Sequence, residues 1–485
     1  MRTILDCYTD EPAGLGVPPY LGTYPRYLYG YFNEEIKYLT IDDLRYYNLK
    51  LSNKKIIDKG KEIKTNIKIY NLTKSFNEIK EIIENTSSLI IIAGVHTPGK
   101  YLSAVPGTLR EISELTQDIN CEKILTGPAV FGTRLEGGKY FERADLSNFK
   151  IKNFEFKYDE IKEYSIKGAD IIRQIPDLRI IEIETSHGCR RSKFCSFCTE
   201  PIKHKFEFRE KDDILNEIEA FYKLGIFYFR IGKQSCFYSY PYAIDLLKEI
   251  RKNFSDIKVL HIDNVDPANV IKKKGIEITK AIVKYCTEGN IAAFGVESFD
   301  ENVIKENNLN VNPEITLEAA RILNKFGAER GENGMHKFLP GINILFGLKG
   351  ESKETHQKNV FYLKKILDEN LLLRRINIRQ VTIFPETELY KTAGNKFIKK
   401  NKKYYWKWRN EIRQSIDFPM LERLVPKGTI LKDVRTEIYD GNTTFARQIG
   451  TYPLIVGIKG RLELNKFYNV KVIGHMLRSV VGEVV

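Results

Sequence analysis

Between residues 171 and 390 the chain alternates strand-like and helix-like stretches six times, and this repeat constrains the fold more than any other feature. Short apolar runs at Leu178–Glu184, Ile226–Ile231, Lys258–Ile262, Ile291–Val296, Ile342–Phe346 and Ile376–Phe384 read as strands. Amphipathic stretches such as Asp212–Leu224, Tyr242–Phe254 and Thr316–Phe326 lie between them, the first with Asp212 and Asp213 where a helix N-cap belongs. Strands joined by helices predict a parallel sheet with right-handed crossovers. Sites in such sheets form beyond the C-terminal ends of the strands.

Directly after the first of these strands, T-S-H-G-C-R-R-S-K-F-C-S-F-C-T-E-P at Thr185–Pro201 places Cys189, Cys195 and Cys198 within ten positions. A disulfide framework does not fit a long chain with an odd count of seven cysteines and no secretory leader. Spacing alone leaves two metal sites open. With His187 or His204 the three thiolates would make a tetrahedral Cys3His zinc site. An iron–sulfur cluster normally takes four thiolates, so with three one iron keeps an open position.

The flanking regions differ in character. Residues 1–170 read as an α/β unit with strands at Arg2–Asp6, Ile67–Tyr70, Leu89–Gly94 and Lys123–Gly127, and its Gly- and Pro-rich opening loop reads as a fixed-shape connection. Cys7 and Cys121 read as packing thiols. The net charge of +14, from 77 basic against 63 acidic residues, points toward nucleic acid only where it is concentrated. It is concentrated in Lys391–Gln414, which carries nine Lys and Arg and one acid, Glu411, among Tyr404, Tyr405, Trp406 and Trp408. Such a stretch offers cations to phosphates and rings to unpaired bases, or else forms a connecting helix with its aromatics turned inward. Residues 426–485 hold evenly spaced short strands punctuated by Gly441, Gly450, Gly457, Gly460, Gly474 and Gly482, which predicts a small β-barrel. Arg447, Lys459, Arg461, Lys466, Lys471 and Arg478 give it a basic balance.

These divisions predict four segments: 1–170, 171–390, a basic aromatic linker at 391–425, and 426–485. The length exceeds the usual size of one core. No run approaches the ~20 apolar residues of a membrane span, and the reading is of a cytoplasmic protein.

The cysteine loop, with Phe197 just before Cys198, resembles the cluster loop of the radical S-adenosylmethionine (SAM) superfamily, although five residues, Arg190–Phe194, stand where most members have three. Two further segments are similar to that family: F-G-V-E-S-F-D-E-N-V-I-K-E-N-N at Phe294–Asn308 and G-I-N-I-L-F-G-L-K-G-E-S-K-E-T at Gly341–Thr355. R-I-G-K-Q-S at Arg230–Ser235 stands where many members have Gly-Gly-Glu. The resemblance implies a partial (β/α)6 TIM-like barrel behind a Rossmann-like α/β domain. It implies that Cys189, Cys195 and Cys198 ligate a [4Fe-4S] cluster whose open iron chelates SAM. Phe197, Gln234, Glu297, Gly347 and Gly350 would then contact that cofactor, the two glycines by letting backbone approach the adenine. His261, Asn264, Asp266 and Cys236 would line the substrate end, or pack and hydrogen-bond behind it.

The tail, F-A-R-Q-I-G-T-Y-P-L-I-V-G-I-K-G, then L-N-K-F-Y-N-V-K-V-I-G and R-S-V-V-G-E-V-V, resembles a TRAM domain, an OB-like barrel attached to several RNA-modifying enzymes, and so implies RNA contact. Gly94-x-His96-x-x-Gly99 is similar to part of the Asp-x-His-x-x-Gly signature of cobalamin-binding domains, with Gly94 in place of the Asp. His96 reads as an ordinary loop histidine, with cobalamin ligation as the alternative. A methylthiotransferase would carry three more cysteines in the first domain, where only Cys7 and Cys121 occur. The whole looks like an uncharacterised archaeal-type group of radical SAM proteins. The expectation is an enzyme that modifies tRNA or rRNA by methylation- or methylthiolation-type chemistry, fed by a ferredoxin- or flavodoxin-type electron donor. The alternatives are a cobalamin-assisted methylase of a protein or small metabolite, and a zinc-stabilised RNA-binding protein without activity.

Overall fold

The six apolar runs of residues 171–390 all become strands, and they run parallel around an open arc. A computed structural model describes residues 1–7, 20–32, 34–52, 74–94, 107–130 and 147–485. Ile180–Ile183, Tyr228–Ile231 and Val259–Ile262 form one sheet; Asn264–Val265, Asn290–Glu297, Phe338–Phe346 and Arg375–Gln380 form a second. The third strand passes from one sheet to the other at Asp263, whose carbonyl accepts the Ala293 N–H at 3.1 Å. The helices between the strands bury their apolar faces against this arc, as Ile214, Ile218 and Phe221 do on the helix Lys211–Lys223.

An eighth piece joins the arc from the amino-terminal stretch. Tyr20–Leu21 pairs parallel with Ile180–Ile181, so the arc begins with residues expected to belong wholly to the first unit. A two-residue strand is too short for its pairing to show as alternation in the sequence. The remaining amino-terminal strands form a separate five-stranded parallel sheet in the order Ile36–Thr40, Arg2–Asp6, Ser88–Ile92, Glu122–Thr126 and Lys150–Ile151. The expected strand Ile67–Tyr70, most of the opening loop and the His96 segment lie outside the described residues. Cys7 and Cys121 pack against the core of this sheet. No helix among the described residues is long and apolar enough to cross a membrane.

A buried ion triad fixes the first sheet to the arc. Arg26, on the helix Thr23–Tyr31, and Arg209 both bind Glu217, with Arg209 Nη1 donating to Oε2 at 2.6 Å. All three side chains are buried, so neither charge has water to fall back on.

Residues 430–484 close into a five-stranded barrel in the order Ile430–Asp440, Thr443–Gln448, Ile455–Lys459, Ser479–Val484 and Phe467–His475. Arg447, counted in the basic balance of this tail, is 1% exposed and bonded through Nε to Glu437 Oε1 at 3.0 Å. Thr444 and Ala446 take the interior positions of this strand, and Arg447 lies on its other face opposite Arg435, which reaches Asp177 outside the barrel.

A tongue from this barrel enters the arc. The Tyr20 hydroxyl donates to the Thr451 carbonyl at 2.7 Å, Arg374 Nη2 donates to the Tyr452 carbonyl at 2.6 Å, and the Tyr452 hydroxyl donates to Asp263 Oδ1 at 2.7 Å. His261 Nδ1 accepts the Thr451 N–H at 3.1 Å, which leaves its Nε2–H to donate to the Glu288 carbonyl at 3.1 Å. A second proton on His261 would meet that N–H head-on, and burial already holds its pKa down to about 4.

Both sets of contacts carry a measurable share of stability. Because unfolded histidine titrates near ~6.5 and His261 near about 4, the unfolded state takes the proton first. Stability therefore declines as pH falls through that window, by up to roughly 3 kcal/mol for this group, and a His261→Asn variant is expected to show a flatter denaturation profile between those pH values. Glu217→Ala strands two buried guanidinium groups and is expected to cost about 3–5 kcal/mol in chemical denaturation; a loss below about 1 kcal/mol would contradict the triad's role as the fastening between the two units.

Candidate active site

The C-terminal strand ends of the arc and of the amino-terminal sheet open into one shared cavity. Asp6, Ile92, Gly94 and Gly127 come from the sheet, and Glu184, Gly232, Gly295, Glu297 and Arg379 from the arc. Its volume is about 3090 Å³, against the ~300–1,000 Å³ of a typical small-ligand site. There is room for a nucleoside cofactor and a large second molecule together.

Cys189, Cys195 and Cys198 all face this cavity. Their loop is tied at its base by pairing of Ser186–His187 with Glu207–Phe208. Gly188 turns the chain there at φ +72°, and a Cβ on it would stand 2.5 Å from the Lys205 carbonyl oxygen. Further along, Ser196 Oγ donates to Asn307 Oδ1 at 2.7 Å and the Cys198 N–H donates to the Cys195 carbonyl at 3.0 Å. Arg191 reaches Cys195 Sγ with Nη1 at 2.9 Å. Burial pushes the thiols up, to about 11 for Cys195, where Arg191 opposes it, and to about 12 for Cys198. Ligation by a metal requires these protons to leave, and a guanidinium beside the sulfur favours that.

Of the two histidines that could complete a lone zinc site, His187 is engaged by other groups, and His204 lies beside it with ring centroids 4.9 Å apart. His187, a candidate fourth ligand, is stacked on Tyr158 with ring centroids 4.5 Å apart and lies 3.4 Å from Glu207 and 3.8 Å from Glu184. Burial works against its protonation, but Glu184, Glu207 and Glu200 together more than offset this and raise its pKa above the ordinary value. A histidine held toward its charged form is a poor metal ligand. Among the described residues no three His, Cys, Asp or Glu side chains converge as ligands of one ion.

Glu297 is delivered to the cavity by an irregularity in its strand. The pairing of Asn290–Glu297 with Phe338–Phe346 slips between Phe294 and Glu297, and Glu297 itself adopts φ 63°. Its carboxyl forms no hydrogen bond or ion pair among the described residues. Burial pushes its pKa up to about 8, with Arg379 pulling the other way. Gln234 is 4% exposed; its Nε2 donates to the Ile231 carbonyl at 2.9 Å, while Oε1 is buried without a partner. An unsatisfied acceptor and an unpaired acid on one cavity fit a cationic donor such as an ammonium group. Phe197 lines the cavity and packs on the cluster of Val303, Leu309 and Leu348.

Gly347 and Gly350 stand elsewhere. Neither is on the cavity wall, where the family resemblance had them approach the adenine. Gly347 has φ +95°, and a Cβ there would sit 2.5 Å from Ile398 Cγ1; at Gly350 it would sit 2.9 Å from Asn302 Nδ2. The Gly347 N–H donates to Glu351 Oε2 at 2.7 Å, so this turn supports Ile398, itself a wall residue, from behind. Asn264, Asp266 and Cys236 do line the cavity, while His261 serves the tongue instead.

Other wall residues went unnoticed in the sequence. Arg375, Asn377 and Arg379 alternate with buried Ile376 and Ile378, so one strand points two guanidinium groups inward. That period-two pattern was the available signal. The basic aromatic linker divides its aromatics: Trp408 is buried and stacked on His356 at 5.0 Å, whereas Trp406 is 63% exposed and lines the cavity.

Residues 183–361 match the family model described as Radical SAM superfamily. These residues form a radical SAM domain. The chain is an iron–sulfur enzyme that uses a [4Fe-4S] cluster and SAM, and the non-enzymatic zinc alternative falls with this finding. Over 99% of its length it is 42% identical to an uncharacterized protein of Methanocaldococcus jannaschii, covering 93% of that relative. A tRNA-2-methylthio-N(6)-dimethylallyladenosine synthase of Buchnera aphidicola is 22% identical over 58% of this chain and 67% of that one. The fold is similar to the radical SAM methyltransferase TsrM of Kitasatospora setae solved with tryptophan and a SAM analogue, with a TM-score of 0.50 and 14% identity over 80% of this chain and 74% of that one.

A Gly347→Ala variant tests the turn behind the wall. Left-handed backbone costs a non-glycine residue about 1–2 kcal/mol, and the clash with Ile398 adds to it, so thermal denaturation is expected to show a loss of at least that size.

Proposed function

We propose that this radical SAM enzyme modifies a nucleotide of tRNA or rRNA held in the cavity between its two α/β units. In this reading Cys189, Cys195 and Cys198 hold the cluster, and Glu297 with the free Oε1 of Gln234 takes the ammonium group of SAM. Residues 1–170 form a Rossmann-like unit that lends Tyr20–Leu21 to the arc, 171–390 a partial (β/α)6 TIM-like barrel, 391–425 the basic aromatic linker, and 426–485 an OB-like, TRAM-like barrel. The observation that carries the reading is that the cysteine loop shares one cavity with Lys399, Lys402, Tyr405 and the outward-facing Trp406. Cations and an exposed ring are what a single-stranded polynucleotide binds. The similarity to a tRNA-modifying enzyme supports the same substrate class.

When bound, the cluster and SAM together supply a carbon-centred radical that abstracts hydrogen from substrate. The chain's own residues do the rest. Gln234 and Glu297 orient the cofactor, Phe197 braces the cysteine loop against the Leu309 cluster, and the arc and first sheet exclude water from both sides. A ferredoxin- or flavodoxin-type protein supplies the electron, and such chemistry belongs in a reducing cytoplasm.

One observation favours a second reading. The strand ends Asp6, Ile92, Gly94 and Gly127 face the same cavity, where a corrinoid would fit, making the chain a cobalamin-assisted methylase of a protein or small metabolite. TsrM itself has been solved with cobalamin and a [4Fe-4S] cluster bound. Corrinoid released from anaerobically purified protein by denaturing extraction, with no response to RNA, would decide for this reading.

For the RNA reading, anaerobically reconstituted protein is expected to release 5′-deoxyadenosine, faster with total cellular RNA, and Cys198→Ala to release none. Trp406→Ala is expected to raise the RNA concentration for half-maximal stimulation about tenfold, since stacking contributes ~1–3 kcal/mol per base. Release that ignores RNA at every concentration would remove the polynucleotide from the account.

A further inference from the structure

Five arginines gather on one wall of the cavity. Arg375 and Arg379 come from the last strand of the arc, Arg409 from the helix Tyr405–Ile412, Arg413 from the turn after it, and Arg478 from the tip between the last two barrel strands; all five line the cavity. They lie within electrostatic reach of one another. Arg478 feels Arg375, Arg409 and Arg413, and Arg375 feels Arg379 and Arg413. The segment Arg413–Asp417 is π-helical, a local widening often found where a helix must re-aim a side chain at a site.

What the cluster lacks is negative charge. Asp417 bonds Arg413, and among the described residues Arg375, Arg379, Arg409 and Arg478 make no ion pair. Arg413 is 4% exposed and its Nε is buried without a partner. The nearby Asp263 is already engaged by Arg230 and Tyr452, and Glu297, on the far side of Arg379, is itself unpaired. Arg230 gives the contrast inside the same arc: it is bracketed by Glu182 and Asp263. This fold pairs Arg26 and Arg209 with Glu217 in the same way, while Arg374 donates to the Tyr452 carbonyl. On the wall it leaves four of five unneutralised and crowded, an arrangement that repels itself until an anion arrives.

We propose that Arg375, Arg379, Arg409, Arg413 and Arg478 form a binding site for a phosphate group of the substrate. Planar guanidinium forks match phosphate oxygens in pairs, and five from four elements can surround one group. Because Arg379 also lies within reach of Glu297, the phosphate sits on the side of the cavity where the amino-acid end of the cofactor is held. The phosphate comes either from a phosphodiester of an RNA strand or from the phosphomonoester of a free nucleotide. The inference deepens the reading of the cavity as the substrate site, and stands for either source.

The test uses the full chain with its cluster reconstituted anaerobically. Binding of inorganic phosphate, adenosine 5′-monophosphate and a ten-residue oligouridylate is measured for wild type, for Arg409→Gln/Arg478→Gln and for Arg478→Gln alone, whose side chain lies at an exposed tip and whose loss spares the fold. A control pair, Lys223→Gln/Lys280→Gln on outer helices, removes the same charge away from the cavity and is expected to leave affinities unchanged. The arginine double variant is expected to weaken at least one phosphate-bearing probe tenfold or more, and to lower the salt slope of oligonucleotide binding by about one or more. Loss of adenosine monophosphate binding with no oligonucleotide binding in any variant supports the site while removing the RNA reading. Loss of oligonucleotide binding supports both. Equal affinities of all variants for all three probes, or equal losses in the lysine control, overturn the site.

Discussion

An arc of parallel strands that does not close has an interior it cannot fill with its own apolar side chains, and this chain meets that constraint with charge. Arg230 stands in the middle of the arc, held by Glu182 from the neighbouring strand on one side and by Asp263 from the other, with the Tyr20 ring 4.8 Å from its guanidinium. Each group left unpaired in a buried ion network of this kind costs stability, as the unpartnered Nε of Arg230 does. Asp263 completes its bonding with the Tyr452 hydroxyl, which the arc does not possess. The tongue of the C-terminal barrel is therefore part of the catalytic interior, and the stability of the site depends on a contact made 189 residues away along the chain.

From that support the rest of the site extends outward. The strand ends beyond the network open into the cavity, where the cysteine loop, Glu297 and Gln234 form one group and the arginine wall another. Acids such as Glu182 and Glu184 belong to the first arc strand or its end, and the arginines to the last strand and the elements after it. Arg190, Arg191, Lys203 and Lys233 also line the early-strand side, so basic side chains face the cavity from both ends of the arc.

Much of this was legible in the sequence because it is periodic or local. Six strands declared themselves by apolar runs between amphipathic helices, and the cysteine loop by its spacing. The evenly spaced short strands of the tail did close into a barrel. What escaped was either too short or too distant. Tyr20–Leu21 has no period to read, and the pairing of Tyr452 with Asp263 or of Arg447 with Glu437 is settled by packing that no local pattern reports. Gly347 and Gly350 illustrate a different failure: their positive φ was foreseeable from residue type, but which neighbour occupies the space beside them was not. Arg375-x-Asn377-x-Arg379 was readable as inward alternation, and its meaning emerged only when three later elements brought further arginines to the same wall.

The tongue at Thr451–Tyr452 also sets an order of events during synthesis. The arc emerges from the ribosome well before the residues that finish its interior, so until Tyr452 appears it must exist with Asp263 and His261 lacking their partners. Metal delivery to the cysteine loop in that interval would load an unfinished scaffold. A chain built this way finishes the interior of its arc only once that barrel has docked.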